Sequence, residues 1–209
     1  MDERAQLVEG ARALGLTLEP RDADRLSRLL DELARWNRTY NLTAIVERPR
    51  MVTHHLLDSL SIHGDVSGER VADVGTGAGF PGLPLAIVDP RRQYTLIDSN
   101  NKKVRFVGHA ARLLELPNVT PLHARAESLR PPAPYDTVVA RAFASLPDIL
   151  ERVAPLCGPG SRVLAMKGRL PQDEVAAVQA PWRVVATRDI AVPELAEARS
   201  LVVLELAPA

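Results

Sequence analysis

The sequence has little cysteine and no long hydrophobic run, and each shortage excludes a class of protein. Its one cysteine, Cys157, cannot form an internal disulfide, and no Cys-x-x-Cys or Cys/His ligand spacing occurs. We interpret Cys157 as a small buried filler in a reducing compartment. No apolar stretch approaches the roughly 18 residues of a membrane span, and residues 1–6 lack the basic start of a secretion signal. These absences predict a cytoplasmic protein without a membrane partner.

The chain also lacks an excess of charge of either sign. Its 26 basic and 26 acidic residues cancel, which excludes a polycation that holds nucleic acid by bulk charge but permits a local basic face. Of the 26 cations only three are lysines, and the rest are arginines, whose planar fork suits phosphates. Codon usage in a GC-rich genome is the simpler explanation of that skew. A length of 209 residues with 46% hydrophobic residues predicts one ordinary globular domain, with room for a small appendage.

The first part of the chain, residues 1–65, is predicted to be helical. From Asp22 onward apolar residues recur at helical spacing, namely Leu26, Leu29, Leu30, Leu33 and Trp36. The pattern breaks at 37–41, and a second helix is predicted over 51–63. We expect this segment to pack on a larger domain formed by residues 66–209.

From Arg70 the pattern changes to alternating strands and helices. The predicted strands are 71–74, 93–97, 119–123, 135–140, 162–166, 182–188 and 201–206, and the predicted helices are 102–114, 146–156 and 171–179. Alternation of this kind indicates an α/β fold, with a mostly parallel seven-stranded sheet covered by helices on both faces. Only a loop that contains Pro193 separates the last two strands, so we expect them to pair antiparallel.

A glycine-rich loop follows the first strand and is the most informative stretch. The sequence reads Val-Ala-Asp73-Val-Gly75-Thr-Gly77-Ala-Gly79-Phe-Pro-Gly82. Glycines after a buried strand let the backbone turn sharply and approach a ligand. The spacing of Gly77, Gly79 and Gly82 also satisfies the dinucleotide fingerprint. However, Asp73 stands where dinucleotide enzymes usually carry an apolar residue.

A second acid, Asp98, ends the next predicted strand. At this position a carboxylate can accept hydrogen bonds from both ribose hydroxyls of an adenosine. The alternative is that Asp98 caps the following helix, a role for which Ser99 and Asn100 also compete.

These motifs resemble the class I S-adenosylmethionine-dependent methyltransferases, and a fuller set narrows the resemblance. The chain is similar to the small-subunit (16S) ribosomal RNA guanine-N7 methyltransferases, also called the glucose-inhibited division protein B family. The motifs follow the same order from about residue 20 to 205: Trp36-Asn37, Tyr40–Ala44, His55–Leu60, Phe80–Gly82, Asp98-Ser99 with Lys103–Phe106, Ala140-Arg141-Ala-Phe143-Ala-Ser145, and Lys167-Gly168. The resemblance implies S-adenosylmethionine as the cofactor and N7 of a guanine in small-subunit rRNA, naked or within the ribosomal subunit, as the methyl acceptor.

The resemblance also assigns site residues. The set implied to bind the cofactor is Asp73, Gly75, Gly77, Phe80, Asp98, Ala126, Glu127 and Arg141. Within it, Gly75 and Phe80 line the site, Ala126 and Glu127 flank the adenine, and Arg141 reaches the reaction region. His55 and Asp58 match a family motif, which suggests that they brace the helical segment over the cofactor. In two places the chain departs from the family pattern, at Asn100 and at Ser200, which follows Arg199 where a histidine is common.

Guanine N7 carries an in-plane lone pair, so the reaction needs alignment rather than a general base. We expect Arg141 and Lys167 to position the guanine or its RNA. The predicted RNA contacts are Arg125, Lys102, Lys103, Arg105 and Arg199, and further phosphate candidates are Arg35, Arg38, Arg48, Arg50 and Arg169. As alternatives, Arg125 and Arg141 pair with Glu127 or Asp136, and Lys167 is simply solvated. Asn37, Tyr40 and Asn41 either face RNA or form a helix-ending turn.

His54 and Asp58 share one face of the predicted helix and could suggest a metal site. No third ligand stands at a telling spacing, so we expect no metal. Two other functions remain open at this point: an NAD-type oxidoreductase, which the glycine spacing alone supports, and a non-catalytic RNA-binding or division-associated protein. The expected state of the protein is a monomer.

Overall fold

A computed structural model describes residues 2–141 and 144–207. Within them seven strands form one sheet in the order β3-β2-β1-β4-β5-β7-β6. The strands are β1 (Arg70–Val74), β2 (Gln93–Asp98), β3 (Val119–His123), β4 (Thr137–Arg141), β5 (Arg162–Lys167), β6 (Trp182–Asp189) and β7 (Ser200–Leu206). The first five strands pair in parallel, and β7 is antiparallel to both β5 and β6. The predicted mostly parallel α/β sheet is confirmed, as is the antiparallel pairing of the last two strands.

Helices connect the parallel strands. They are α5 (Gly82–Val88), α6 (Asn101–Leu113), α7 (Leu146–Val153) and α8 (Gln172–Ala176), with short 3-10 turns at His63–Asp65, Ala126–Ser128 and Ala154–Leu156. The predicted helix over 171–179 is therefore too long. The chain turns ahead of Pro181, in keeping with the restriction that a proline places on the residue before it.

The helical segment differs from the prediction at two places. It contains α1 (Glu3–Ala13), α2 (Pro20–Tyr40), α3 (Arg48–Met51), a π-helix (Val52–Leu57) and α4 (Asp58–Leu60). The break expected over 37–41 comes at the end of that range, because the Asn37 side chain bonds the backbone of Thr43 and leaves its own backbone helical. The helix α2 ends at Tyr40, and Asn41, whose φ is 50°, is its C-cap. The predicted helix over 51–63 begins earlier, at Arg48, and is wound as a π-helix in its middle.

The helical segment and the sheet share one hydrophobic core. Leu26, Leu30 and Leu33 of α2 are fully buried in the same cluster as Phe106 and Val107 of α6. Each such leucine contributes roughly 1.5–3 kcal/mol by leaving water. Burial of this face holds residues 41–60 against the carboxyl ends of β1, β2, β4 and β5. Since β7 is antiparallel to β5, the first residue of β7 lies beside the carboxyl end of β5.

Candidate functional site

The buried carboxylate of Asp73 anchors the glycine loop after β1 by hydrogen bonds. Gly75 and Gly77 have φ values of 70° and 61°, a region that glycine adopts without steric cost. Asp73 is 1% exposed, and its Oδ2 accepts hydrogen bonds from Thr76 Oγ1 at 2.6 Å and from the Gly82 amide at 2.8 Å. Burial raises the pKa of this carboxyl to about 6, although both hydrogen bonds act in the opposite direction. Asp73 therefore joins the loop to the start of α5.

Asp98 connects the glycine loop to the loop after β2. Its Oδ2 accepts a hydrogen bond from the Gly77 amide at 2.9 Å, and its Oδ1 accepts one from the Asn100 amide at 2.8 Å. The alternative role as cap of α6 belongs to Asn100, whose side chain accepts a hydrogen bond from the Lys102 amide at 3.0 Å. The Asp98 carboxylate is thus fixed at the carboxyl end of β2, where ligands bind in open parallel sheets.

Two cavities meet at Gly75. The larger has a volume of about 450 Å³ and is lined by the loop after α2, the π-helix, the glycine loop and the ends of β4 and β5. The smaller has a volume of about 210 Å³ and is lined by Asp98, Lys103 and residues 124–127. Together they form an elongated site across the glycine loop. Of the predicted cofactor residues, Gly75 lines both cavities, Gly77, Phe80 and Arg141 line the larger, and Asp98, Ala126 and Glu127 line the smaller, whereas Asp73 lines neither.

One wall of the larger cavity is a stack of side chains. The His55 ring lies on the Phe80 ring, with centroids 4.8 Å apart and 22° between planes. The Arg141 guanidinium lies 5.9 Å from the Phe80 centroid on a cation–π contact. On the other side His55 Nε2 lies 3.0 Å from Thr43 Oγ1. Burial, followed by the nearby Arg141, lowers the pKa of His55 to about 3, so this ring is neutral at physiological pH.

Asp58 forms ion pairs with two arginines that line this cavity. Its Oδ2 lies 3.1 Å from Arg141 Nη1, and its Oδ1 lies 3.1 Å from Arg199 Nε. The suggested pair of Arg141 with Asp136 is wrong, because the Asp136 carboxylate accepts the amides of residues 69 and 70. Arg125 does approach Glu127, at 3.7 Å, but both side chains are largely exposed.

Lys167 connects the end of β5 to neighbouring segments. Its Nζ donates to the Ala144 carbonyl at 2.6 Å and lies 3.0 Å from Glu174 Oε2. The same carboxylate oxygen accepts the Leu146 amide at 2.7 Å. The alternative of a solvated lysine is therefore wrong, since only 13% of the side chain is exposed. Sequence reasoning missed Glu174, and no local motif marks it.

The other predicted RNA-contact residues surround the site. Lys103 lines the smaller cavity, while Lys102 and Arg105 are exposed on α6 and form no ion pair among residues 2–141 and 144–207. The further candidates divide into two groups. Arg35 and Arg48 are engaged by carboxylates within the helical segment, whereas Arg38, Arg50 and Arg169 are exposed.

The loop after α2 is fixed by Asn37. Its amide both donates to and accepts from the Thr43 backbone, at 2.9 and 2.8 Å. For Asn37 and Asn41 the helix-ending turn is thus the structural role. Phe143, part of one family motif, lies outside the described residues.

The described part of the chain offers neither a metal-binding cluster nor a membrane-spanning helix. There, no three His, Cys, Asp or Glu side chains are grouped closely enough to hold a metal ion. In the same residues no helix combines the length and apolar character that crossing a bilayer requires. Cys157 is partly buried, and burial raises the pKa of its thiol to about 12.

Solved structures share this fold. TrmN from Thermus thermophilus superposes with a TM-score of 0.56 at 24% identity, over 71% of this chain and 47% of that one. A SAM-dependent methyltransferase from Thiobacillus denitrificans, in complex with S-adenosyl-L-homocysteine, gives a TM-score of 0.55 at 13% identity, over 71% and 90%. At these identities the likeness concerns the fold, and it confirms the predicted class I methyltransferase architecture.

Sequence relatives are much closer. Ribosomal RNA small subunit methyltransferase G of Nitrosococcus oceani is 44% identical over 95% of this chain and 92% of its own length. The protein of the same name from Xanthomonas campestris pv. campestris (strain B100) is 46% identical over 94% of both. The GidB family model, described as rRNA small subunit methyltransferase G, matches residues 22–202. The family predicted from the motifs is confirmed: the chain belongs to the rRNA small subunit methyltransferase G (GidB) family.

Proposed function

We propose that the chain transfers the methyl group of S-adenosylmethionine to N7 of a specific guanine in small-subunit (16S) rRNA. Family membership supplies the reaction class and the kind of RNA. The observation that carries the proposal is the pair of cavities joined at Gly75. One contains the Asp98 carboxylate, and the other contains Arg141 and Lys167.

The site fits this cofactor in three respects. The Asp98 oxygens can accept from ribose hydroxyls in the smaller cavity, where Ala126 and Glu127 would flank the adenine. Gly75 and Gly77 let the backbone approach a ligand, and a Cβ at Gly77 would meet open space. Phe80 offers an aromatic face in the larger cavity. When bound, S-adenosylmethionine supplies an electrophilic methyl group on a sulfonium.

The protein's contribution is to orient the acceptor. Guanine N7 needs no deprotonation, and the acidic and basic groups near the cavity are not arranged as a general base. His55 is a weak base because its pKa is lowered to about 3, Asp73 is bound to the amide of Gly82 under the glycine loop, and Asp58 is engaged by two arginines. Arg141 and Lys167 are therefore assigned to positioning the guanine, and the rate should depend mainly on proximity.

RNA is held by local basic groups rather than by net charge. Arg125, Lys102, Lys103, Arg105 and Arg199 are the assigned contacts. The aromatic contact between Trp36 of α2 and Phe106 of α6, with ring centroids 5.6 Å apart, packs the C-terminal part of α2 against the middle of α6. Exposed Arg38 in the last turn of α2 extends the basic surface on that side. A formal net charge of zero predicts moderate salt dependence of binding.

We further propose a cytoplasmic monomer that requires no metal and no membrane. In this proposal residues 1–65 brace the methyltransferase domain, residues 66–209. The shared hydrophobic cluster of α2 and α6 supports such a role.

The direct test is methylation with labelled cofactor of naked small-subunit rRNA and of assembled subunits, followed by cleavage mapping of N7-methylguanine. Label at one guanine on either substrate is expected. Absence of labelled N7-methylguanine on both would defeat the proposal.

A carboxylate pair allows a matched control for the cofactor site. The carboxylates of Asp98 and Asp136 each accept hydrogen bonds from two backbone amides. Asp136, however, lies at the amino end of β4, on the far side of the sheet from the cavities. Asp98→Asn should weaken S-adenosylhomocysteine binding by about 10- to 100-fold, the usual effect of losing charge-assisted hydrogen bonds. Asp136→Asn should leave the dissociation constant unchanged. Equal effects of both variants would contradict the assignment of Asp98.

A further inference from the structure

Asp58 is a buried carboxylate that connects three segments distant in sequence. It comes from α4 in the helical segment, and only 4% of its side chain is exposed. Arg141 ends β4 and Arg199 directly precedes β7, and each guanidinium places one nitrogen 3.1 Å from a different Asp58 oxygen. The π-helix that precedes Asp58 places His54, His55 and Asp58 all on the cavity side. One carboxylate thus fixes two arginines of the cavity wall relative to each other.

Both arginines retain hydrogen-bond donors for a ligand. Arg141 Nη1 also donates to the His54 carbonyl at 3.2 Å, and Arg199 Nη1 donates to the Ala198 carbonyl at 3.0 Å. Within residues 2–141 and 144–207 the Nε and Nη2 atoms of Arg141 and the Nη2 atom of Arg199 have no acceptor. Both side chains line the larger cavity and are about one-fifth exposed, at 21% and 22%.

The charge at this point favours an anion. Asp58 faces two guanidiniums and the neighbouring His55 is neutral, so this cluster keeps one positive charge, which Asp73 near Arg141 and Glu197 near Arg199 offset in part. Lys167 adds no further excess, because Glu174 neutralises it. Neither a sulfonium nor a guanine that becomes cationic on N7 methylation benefits from this charge, whereas the carboxylate of the cofactor and a phosphodiester of the RNA both do. Guanidinium groups bind phosphate oxygens with parallel N–H donors, and the RNA substrate supplies a phosphate with every nucleotide.

We propose that Arg141 and Arg199, aligned by Asp58, bind the phosphate group attached to the target guanosine. Asp58 is then a positioning residue, which acts on the substrate through the two arginines and touches neither cofactor nor base. This inference rests on the proposed function, since it requires a guanosine acceptor in the larger cavity. It assigns to the helical segment a part in substrate binding beyond its packing role.

The rival explanation is that Asp58 only fastens the helical segment to the sheet. Asp65 offers a matched control, because it also belongs to the helical segment and pairs with Arg188 of β6 outside the cavity. Asp58→Asn removes two ion pairs between segment and sheet and Asp65→Asn removes one, and both conserve side-chain size. A purely structural role predicts a loss of stability in both variants without a specific rise in the KM for RNA in either.

The experiment measures kcat, the KM for the RNA substrate and the dissociation constant of S-adenosylhomocysteine for the full-length variants. Asp58→Asn should raise the KM for RNA by about 10-fold or more, as expected when a charged pair loses its alignment, with the S-adenosylhomocysteine constant within twofold of wild type. Asp65→Asn should change neither. Guanosine 5′-monophosphate should inhibit the wild type more strongly than guanosine does, and Asp58→Asn should remove that difference.

The outcomes separate this inference from the proposed function. If the wild type forms no N7-methylguanine, the proposed function fails. If the wild type methylates and Asp58→Asn keeps its KM, only the inference fails. A parallel loss of S-adenosylhomocysteine affinity would instead show that the arginines serve the cofactor carboxylate, which overturns the phosphate assignment. Arg199→Lys provides a second variant should Asp58→Asn not fold: it conserves charge but loses the planar fork, and the same rise in KM is expected.

Discussion

Replacing Asp73 by asparagine tests how the glycine loop is held. The side chain is 1% exposed, and burial raises its pKa from 3.8 to about 6. A carboxyl whose pKa is raised on folding stabilises the native state most when it is protonated, at a pH below the unfolded pKa. That contribution is lost as the pH rises through about 6. At 1.36 kcal/mol for each pH unit, the loss amounts to about 3 kcal/mol.

The assay is urea unfolding of the wild type and of Asp73→Asn at several pH values between 4 and 8. Because the amide does not titrate, the variant should gain about 2.5 kcal/mol relative to the wild type between pH 4 and pH 7.5, since part of the loss already occurs below pH 4. The difference between the two proteins is the informative quantity. Because the pKa of His55 is lowered on folding, its titration makes the native state less stable as the pH falls. In the wild-type curve taken alone, this effect partly cancels the opposite effect of Asp73.

A difference that stays constant with pH would refute the reasoning, whatever its absolute size. A second variant sharpens the test. Thr76 donates to Asp73 Oδ2 at 2.6 Å and thereby lowers the pKa of Asp73. Thr76→Val should therefore shift the pH-dependent step to higher pH.

Two further predictions concern the same region. Gly82→Ala should destabilise the protein by about 1–3 kcal/mol in urea unfolding, because the added Cβ would lie 2.7 Å from Leu96 Cγ and 2.8 Å from Asp73 Oδ2; an unchanged midpoint would contradict the packing described. The imidazole resonances of His55 should remain those of a neutral ring down to about pH 4 in NMR titration, because its pKa is about 3; protonation near pH 6.5 would show that the ring is not buried as the structure has it.

The fold and the arrangement of the glycine loop and Asp98 could be predicted from local sequence patterns. The strands ending at Val74 and Asp98 are short apolar runs followed by glycine or acid, and their alternation with helices determines a parallel sheet. Residues that act at the ends of such strands are brought together by the topology itself. This explains why Gly75 and Asp98, which these patterns mark, and Ala126, which the resemblance implies, lie around one cavity.

The larger cavity, which is proposed to hold the guanine, could be predicted only in part. Arg141 and Asp58 are 83 residues apart, and Asp58 and Arg199 are 141 apart. No periodicity in the sequence shows which of 26 acidic residues pairs with which arginine. The π-helix was also missed, since no residue pattern in Val52–Leu57 distinguishes it from an α-helix.

The last strand lies inside the sheet, and this placement constrains the order of assembly. β7 pairs with β5 on one side and with β6 on the other. During synthesis β6 therefore has no neighbour in the sheet until residues 200–206 have left the ribosome. Arg199 directly precedes these residues, so Asp58 acquires its second arginine only when β7 is added to the sheet. A nascent chain that halts before β7 exposes two unpaired strand edges, which makes it a target for aggregation and for proteases.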